Sequence, residues 1–259
     1  MPPSFVTTYG PWAVVAGASE GLGAAFAQAL AARGVNLLLL ARRAELLEAV
    51  ATKLRATVEV RTEICDLARP DLAAALEALT SNIDIGLGVY NAAYAPVGDL
   101  HTRAASDLLQ VIDVNVKGPL LFARTLAPKM VARGRGGIVL MSSLAGFQGA
   151  PRIAAYAASK AFNVVLGESL WSELRPHGVD VVVSCAGAVR TPGYATAAKA
   201  DAPGTLDASI VAEQTLAALG HGPMVVPGAT NRLARFVMGR VLPRRTAIGI
   251  MARSTKELS

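Results

Sequence analysis

The sequence has little charge, few aromatic side chains and almost no cysteine. Of its 259 residues, 17% are charged, 5% are aromatic and two are cysteine, whereas 53% are hydrophobic. The mean hydropathy is +0.42. A disordered chain has the opposite composition, so disorder is excluded. Two cysteines, Cys65 and Cys185, do not make a disulfide framework, and the expected location is the reducing cytoplasm.

Signals for export, membrane crossing and metal binding are also missing. The opening residues, MPPSFVTTYGPW, hold no basic region followed by an apolar stretch, so no targeting segment is expected. The longest charge-poor stretch, residues 11–32, is interrupted by Glu20 and three glycines, which makes it a poor membrane span. His101, His177 and His221 are scattered without partners at ligand spacing, so no metal site is expected.

The excess positive charge lies at the end of the chain. Residues 1–227 hold 18 basic and 18 acidic side chains, whereas residues 228–259 hold 7 basic and 1 acidic. A nucleic-acid-binding protein would carry its basic surface on the folded body, so no nucleic-acid partner is expected. A local anionic partner of the tail remains an open alternative.

Short apolar runs alternate with helical patterns along the chain, with no internal repeat or linker. Because parallel strands need crossover connections, the alternation predicts one domain, residues 1–259, with a parallel sheet of about seven strands and helices on both faces. An eight-stranded barrel is the competing architecture, but the number of units favours an open, doubly wound sheet. The predicted strands are Trp12–Ala16, Val35–Ala41, Val58–Cys65, Ile85–Asn91, Gly137–Ser142, Asp180–Cys185 and Met224–Pro227. The predicted helices are Leu22–Arg33, Ala44–Arg55, Asp71–Thr80, Ala104–Arg133, Ala154–Arg175 and Ala208–Leu219.

A glycine-rich turn follows the first predicted strand and opens the first helix. Gly17 would allow the tight exit from the strand, Gly21 would let the helix start approach a pyrophosphate, and Gly23 would permit close helix packing. Backbone N–H groups at such a helix start bind phosphate oxygens. A plain tight turn is the alternative, but the strand, turn, helix and second strand in sequence favour a dinucleotide site.

The end of the second predicted strand indicates which dinucleotide is bound. An NAD site usually places an acidic residue there to hold the ribose 2′-hydroxyl, whereas this chain has Ala41 followed by Arg42 and Arg43. A guanidinium at Arg42 favours the 2′-phosphate of NADP(H), with NAD(H) as the alternative. Glu20 would oppose this preference unless its carboxylate points away.

A tyrosine and a lysine at helical spacing form the clearest catalytic signal. Tyr156 and Lys160, four residues apart, fall on one helix face, so the ammonium can stabilise a phenolate. Lowering the pKa of a tyrosine by roughly 3 units takes about 4 kcal/mol, which Lys160 and a cationic nicotinamide together could supply. Ser143, after the fifth strand, is placed to hydrogen-bond a carbonyl oxygen on which charge develops.

Together these motifs make the sequence similar to the short-chain dehydrogenase/reductase family, from Trp12 to about Pro227. Its TGxxxGxG pattern matches the glycine turn with Ala16 in place of threonine. Its NNAG segment appears as YNAA, which keeps Asn91 and ends in Ala93. Neither Ala16 nor Ala93 replaces a residue that takes part in the reaction. The resemblance implies a Rossmann-type fold.

The resemblance implies a catalytic tetrad of Asn115 in DVNVKGP, Ser143 in MSSLAG, and Tyr156 and Lys160 in YAASK. Tyr156 would be the general acid that protonates the carbonyl during reduction, and Ser143 would polarise that carbonyl. Lys160 would also bind the nicotinamide ribose, and Asn115 would hold a water in a proton relay. The implied activity interconverts a ketone or aldehyde with its alcohol by hydride transfer.

The resemblance also extends to cofactor contacts beyond the glycine turn. Asp66 and Leu67 are similar to the pair that contacts adenine, and residues 186–192 are similar to the PGxxxT loop near the carboxamide, with Ala186 replacing proline. The expected cofactor contacts are Gly17, Ser19, Glu20, Gly21, Leu22, Gly23, Arg42, Asp66, Leu67, Asn91, Ala92, Tyr156, Lys160, Gly187, Val189 and Thr191.

Phe147, Arg152 and Tyr194 are expected to surround the substrate, because they follow the tetrad motifs or fall in the family's variable lid. Glycines and prolines between Pro192 and Leu206 suit a segment that closes over a ligand. Ordinary surface loops are the alternative.

The tail, from about residue 229 to 259, predicts a basic helical extension. Apolar residues at 233, 236, 237 and 241 alternate with arginines at 232, 235 and 240, as in an amphipathic helix. Such a helix could lie on an anionic membrane, dock an acidic carrier, receive the phosphates of a coenzyme A thioester, or pack on its own body or a partner subunit. The tail resembles those of family members that act on lipid-like or acyl substrates.

The overall hypothesis is an oxidoreductase with a small-molecule carbonyl or alcohol substrate, and the resemblance implies a homodimer or homotetramer. A fold does not determine a function, so a non-catalytic dinucleotide sensor or scaffold is the alternative. The intact tetrad favours the enzyme.

Overall fold

A computed structural model describes residues 4–197 and 200–256. Nine strands are present in chain order: β1 (Trp12–Ala16), β2 (Asn36–Ala41), β3 (Val60–Ile64), β4 (Ile85–Tyr90), β5 (Gly136–Ser143), β6 (Val179–Ala186), β7 (Val189–Arg190), β8 (Leu206–Asp207) and β9 (Met224–Val225). Seven of them form one parallel sheet in the order β3-β2-β1-β4-β5-β6-β9, and β7 and β8 pair separately. The predicted open, doubly wound sheet of seven strands is therefore confirmed.

Helices cover both faces of the sheet because neighbouring residues of each strand point to opposite sides. In β2, Leu37 and Leu39 join one buried cluster, and Leu38 and Leu40 join the other. The side chains of both clusters are buried, so both faces of each strand need apolar residues. This explains why these strands are continuous apolar runs rather than alternating ones. The helices are α1 (Phe5–Tyr9), α2 (Gly21–Ala31), α3 (Ala44–Leu54), α4 (Leu72–Thr80), α5 (Ala105–Ile112), α6 (Gly118–Ala132), α7 (Ala154–Leu174), α8 (Pro192–Ala197), α9 (Ala208–Ala217), α10 (Ala229–Phe236) and α11 (Arg244–Lys256).

The strand order places a ligand crevice between β1 and β4. The chain runs from β1 outward to β2 and β3, then returns to β4 on the other side of β1. At such a reversal the connections leave in opposite directions, and ligands bind beyond the carboxyl ends of the strands. The glycine turn after β1 and Asn91 after β4 both lie at this end of the sheet.

The predicted single helix Ala104–Arg133 is wrong in one respect, because a π-helical turn at Asp113–Lys117 separates α5 from α6. Pro119 supplies a physical reason. It has no N–H to donate to the carbonyl of Asn115, the partner that a regular α-helix requires. The wider turn lies at a predicted catalytic residue, as π-helical turns often do.

Several smaller elements are absent from the sequence prediction. They are α1, the β7–β8 pair and α8. Of the predicted lid and tail, residues 198–199 and 257–259 lie outside the described residues. The described tail is two helices, α10 and α11, joined by a π-helical turn at Val237–Val241. Among the described residues, no helix is long and apolar enough to cross a membrane.

Candidate active site

A cavity of about 430 Å³ opens at the carboxyl ends of β1, β2 and β4. Its volume falls within the usual range of small-molecule sites. Most of the predicted cofactor contacts line it, which brings together residues that are far apart in sequence. These are Gly17, Ser19, Glu20, Gly21, Leu22, Arg42, Asp66, Leu67, Asn91, Ala92 and Thr191.

The glycine turn is closed by backbone contacts that leave no room for a side chain. A Cβ on Gly23 would lie 1.9 Å from the Gly17 carbonyl oxygen and 2.8 Å from Asn91 Nδ2. Gly17 itself has a φ of +83°, in the left-handed region. Asn91 Nδ2 donates to the Gly17 carbonyl at 3.0 Å, so the turn after β1 is fastened to the end of β4. Gly23 therefore packs beneath the turn and does not line the cavity.

Charges at the end of β2 are arranged to leave Arg42 available. Glu20 Oε1 pairs with Arg43 Nη2 at 2.7 Å, and another Arg43 contact reaches Ser19 Oγ at 3.2 Å. The carboxylate that sequence reasoning expected to oppose a 2′-phosphate is thus neutralised by Arg43. Arg42 lines the cavity, is exposed, and makes no ion pair among the described residues. A cradle with a free guanidinium fits a dinucleotide that carries a 2′-phosphate.

Five predicted cofactor contacts do not line this cavity, namely Gly23, Tyr156, Lys160, Gly187 and Val189. A Cβ on Gly187 would lie 2.7 Å from Asn231 Oδ1, so this glycine gives space to a residue of α10. Val189 belongs to β7 and is paired with Leu206. Thr191, two residues further on, does line the cavity, and a Cβ on Gly21 would touch its side chain at 2.9 Å.

Ser143, Tyr156 and Lys160 meet where β5 ends against α7. The Ser142 hydroxyl donates to the Lys160 carbonyl at 2.8 Å, which fixes the strand end against the helix. Lys160 is 3% exposed, and its Nζ donates to the Met141 carbonyl at 2.9 Å. The same Nζ lies 5.5 Å from the ring centroid of Tyr156, as the spacing of four residues predicts.

Burial perturbs both titrating groups of this site. It raises the pKa of Tyr156 above its ordinary value, and a hydrogen bond with Ser143 offsets part of that effect. Burial also lowers the pKa of Lys160 to about 8. The direction for Tyr156 is opposite to the lowering expected from Lys160 and a cationic nicotinamide. With these protein neighbours alone, Tyr156 is a neutral phenol at pH 7, the form that donates a proton.

Asn115 is fully buried and forms hydrogen bonds with two parts of the site, the loop at Tyr94 and helix α7. Its Nδ2 donates to the Tyr94 carbonyl at 2.8 Å and to Ser159 Oγ at 3.1 Å, and its Oδ1 accepts from the Tyr94 N–H at 2.8 Å. Val114 beside it and Tyr94 both line the cavity. Asn115 therefore joins the cavity wall to α7, one residue before Lys160.

The three predicted substrate residues have different surroundings. Phe147 ends the short 3₁₀ turn that follows Ser143. Arg152 has a φ of +65° and donates from Nη1 to the carbonyls of Thr255 and Lys256 at 3.0 and 3.1 Å, so it binds the end of α11. Tyr194 lines a separate cavity beside β7, and its hydroxyl accepts from the Ala202 N–H at 3.0 Å.

Sequence reasoning missed part of the cavity wall. Arg43 is not among the expected cofactor contacts, although a second basic residue after β2 is a usable signal. The others are small or apolar residues whose position depends on the folded loops, and no local pattern identifies them. The missed lining residues are Ala41, Arg43, Cys65, Ala93, Tyr94, Val114 and Gly193.

Comparison with known proteins shows the family of this chain. The family model for short chain dehydrogenases matches residues 11–202, which are most of the chain. The chain belongs to the short-chain dehydrogenase/reductase family. Very-long-chain 3-oxoacyl-CoA reductase of Podospora anserina is 38% identical to this chain over 180 residues, which are 66% of this chain and 53% of that protein. The chain thus spans about half the length of that relative.

Solved structures resemble this chain over more residues than the family model matches. A 7beta-hydroxysteroid dehydrogenase has a TM-score of 0.89 at 27% identity, over 96% of this chain and 99% of that chain. The similarity therefore extends into the C-terminal helices. A short-chain dehydrogenase from Sphingobium yanoikuyae in complex with NADPH has a TM-score of 0.74 at 31% identity, over 84% of this chain and 87% of that chain.

Proposed function

We propose that this chain is an NADP(H)-dependent oxidoreductase that interconverts a ketone or aldehyde with its alcohol, with Tyr156 as the general acid and base. The observation that carries the proposal is the meeting of Ser143, Tyr156 and Lys160 at the β5–α7 junction, which Asn115 connects to the wall of the cavity beyond β1 and β4 through Ser159 and Tyr94. Each residue alone is ordinary, but buried titrating groups next to a cleft are typical of catalysis.

Binding of the cofactor is assigned to the cavity. The N–H groups at the start of α2 would receive the pyrophosphate, because helix N-termini bind anions. Arg42 would pair with the 2′-phosphate, while Glu20 stays neutralised by Arg43. NADPH, when bound, supplies the hydride that reduces the carbonyl carbon. The NADPH complex of the Sphingobium relative supports this choice of cofactor.

The chain's own residues would handle the oxygen of the substrate. The Ser143 hydroxyl would donate a hydrogen bond to the carbonyl oxygen, and Tyr156 would transfer its phenolic proton to that oxygen as negative charge develops. Lys160, still mostly protonated at pH 7, would stabilise the phenolate left behind. Because the Asn115 amide already bonds Tyr94 and Ser159, its main-chain carbonyl is the better candidate to hold a relay water.

The substrate class is a bulky apolar carbonyl compound in this proposal. The relatives named above are a reductase of very-long-chain 3-oxoacyl-CoA and a dehydrogenase of 7beta-hydroxysteroids. Both names describe a carbonyl or hydroxyl group on a large apolar body. Reduction would be the direction in a cell that keeps NADP reduced.

The test is the Tyr156→Phe variant, which removes the proton donor and keeps the ring. We expect NADPH to bind with unchanged affinity, measured by fluorescence titration, while reduction of a ketone panel falls by at least about 100-fold. Equal turnover by the variant would overturn the assignment of Tyr156. A wild-type protein that binds NADPH tightly but reduces no carbonyl in the panel would instead favour the non-catalytic dinucleotide sensor.

A further inference from the structure

A second cavity, of about 860 Å³, lies between β9 and the C-terminal helices. We call it the arginine cavity. Its floor is the apolar segment Met224–Val226, and two aromatic rings, Phe147 and Phe236, line its wall. Gly239 and four arginines complete the lining, and the arginines are Arg232, Arg235, Arg240 and Arg244.

The charged residues that the structure places in the lining of the arginine cavity are all positive. The cavity lining contains no acidic residue, and none of the four makes an ion pair within residues 4–197 and 200–256. Other arginines of the protein are paired, such as Arg33 with Glu213 and Arg190 with Asp201. Four like charges around one concave surface repel each other, and an anion would relieve that repulsion. Guanidinium groups bind carboxylates and phosphates through paired N–H donors.

The arginine cavity is joined to the catalytic side through Phe147. The Arg235 guanidinium lies 4.4 Å from the centroid of the Phe147 ring, and Arg244 Nη1 donates to the Phe147 carbonyl at 2.7 Å. Phe147 is the last residue of the 3₁₀ turn that starts directly after Ser143. At roughly 2 Å of rise per residue, four residues span about 8 Å, so the cavity wall is close to Ser143.

Two of the four arginines remain free to bind a ligand. Arg232 makes only a long contact, 3.4 Å from Nη1 to the Val226 carbonyl, and Arg240 is exposed without a hydrogen bond among the described residues. Phe236, on the same helical segment, lines the same cavity, and its side chain is 59% exposed. A ring and free guanidinium groups on one wall suit a molecule with an apolar body and a charged end.

We propose that the arginine cavity binds the anionic end of an amphipathic carbonyl substrate. The apolar part of that substrate would lie on Phe147 and Phe236, and its carbonyl would reach Ser143 and Tyr156. The inference rests on the proposed function and narrows its substrate class to acids, such as carboxylates or phosphates, with the anion on the order of 10 Å from the carbonyl. Concave shape and an apolar floor favour such a small molecule over a flat membrane surface.

The experiment compares two double variants that lose the same charge from the same tail. Arg232→Gln with Arg240→Gln removes the free arginines of the cavity. Arg245→Gln with Arg253→Gln is the control, because both residues are exposed on α11 and neither lines the cavity. The probes are decanoate and its neutral analogue 1-decanol, titrated by calorimetry, which needs no turnover. The matched substrates are 10-oxodecanoic acid and its methyl ester.

We expect the cavity variant to bind decanoate at least about tenfold more weakly, since two charge-assisted hydrogen-bonding groups are lost. The control variant should bind decanoate like the wild type, and 1-decanol should not distinguish the three proteins. The KM for 10-oxodecanoic acid should rise about tenfold in the cavity variant with kcat unchanged, whereas the ester should show no difference.

Equal weakening in both variants, or no preference for decanoate over 1-decanol in the wild type, would overturn the proposal. Co-sedimentation with phosphatidylglycerol vesicles that both variants lose equally, without decanoate binding, would overturn it in favour of a membrane surface. Decanoate binding that needs Arg232 and Arg240 would support the anion site even if neither substrate is reduced. That result, combined with tight NADPH binding, would place the failure in the proposed reaction instead.

Discussion

The buried ammonium of Lys160 should lower the stability of the cofactor-free protein, and replacing Lys160 by an uncharged residue should raise its free energy of unfolding. Burial lowers the pKa of Lys160 from 10.5 to about 8. One pKa unit corresponds to about 1.4 kcal/mol, so the charged side chain costs about 3 kcal/mol at pH 7. Lys160→Met keeps the length of the side chain and removes the charge. It also removes the hydrogen bond that Lys160 Nζ donates to the Met141 carbonyl. Losing this bond cancels about 1–2 kcal/mol of the stability that is gained by removing the charge.

The dependence on pH separates these two effects. Between pH 8 and 10.5 the unfolded wild type binds more protons than the folded protein at this group, so wild-type stability rises with pH. The lost hydrogen bond does not titrate in the same way. We therefore expect the free energy of unfolding of Lys160→Met to be about 1–2 kcal/mol higher than that of the wild type at pH 7. By pH 10 this difference in unfolding free energy should have shifted by about 2.5 kcal/mol in favour of the wild type.

Urea unfolding of the cofactor-free proteins at pH 7, 8, 9 and 10 measures this difference. Lys53→Met is the matched control, because Lys53 is an exposed residue of α3 and its removal should leave no trend with pH. A difference in unfolding free energy between Lys160→Met and the wild type that stays constant from pH 7 to 10 would refute the reasoning. The same variant should lose turnover, which would explain why a costly charge is kept at this position.

Two further predictions concern the cofactor cavity. Arg42→Ala should weaken NADPH binding by about 10- to 100-fold and NADH binding by less than about twofold. Fluorescence titration measures both affinities. Equal losses for the two dinucleotides would show that Arg42 does not bind the 2′-phosphate. Gly23→Ala should destabilise the protein by at least about 2 kcal/mol in urea and abolish dinucleotide binding, because its Cβ would overlap the Gly17 carbonyl. Gly249→Ala is the control, since open space surrounds that glycine and stability should hold or rise. Normal stability of Gly23→Ala would contradict the packing.

The sequence predicts the local geometry of the candidate site where a short segment sets its own backbone angles. Gly17 and Gly21 have φ angles of +83° and +53°, which glycine adopts without strain, so the turn after the apolar strand follows from local sterics. Tyr156 and Lys160 share a helix face because four residues make about one turn. Neither inference needs knowledge of distant parts of the chain.

The site was predicted less well where distant segments meet. Sequence spacing cannot show that Glu20 pairs with Arg43 and leaves Arg42 free, because both partners are long side chains from different loops. Nor can it show that burial raises the pKa of Tyr156, since desolvation depends on everything packed around the ring. The break in the predicted helix at residues 113–117 was visible in principle through Pro119, but the contacts of Asn115 that accompany it were not.

The sequence by itself determined the parallel sheet, the dinucleotide turn and the family, because alternating apolar runs and residue spacing act over a few turns of chain. Only the tertiary structure decided where the basic tail packs. Arg235 and Arg244 are about 90 residues from Phe147, and their contacts with it exist because β9 returns the chain to the sheet beside β6. Long-range packing of this kind sets which charges share a cavity, and therefore which ligands the protein can select.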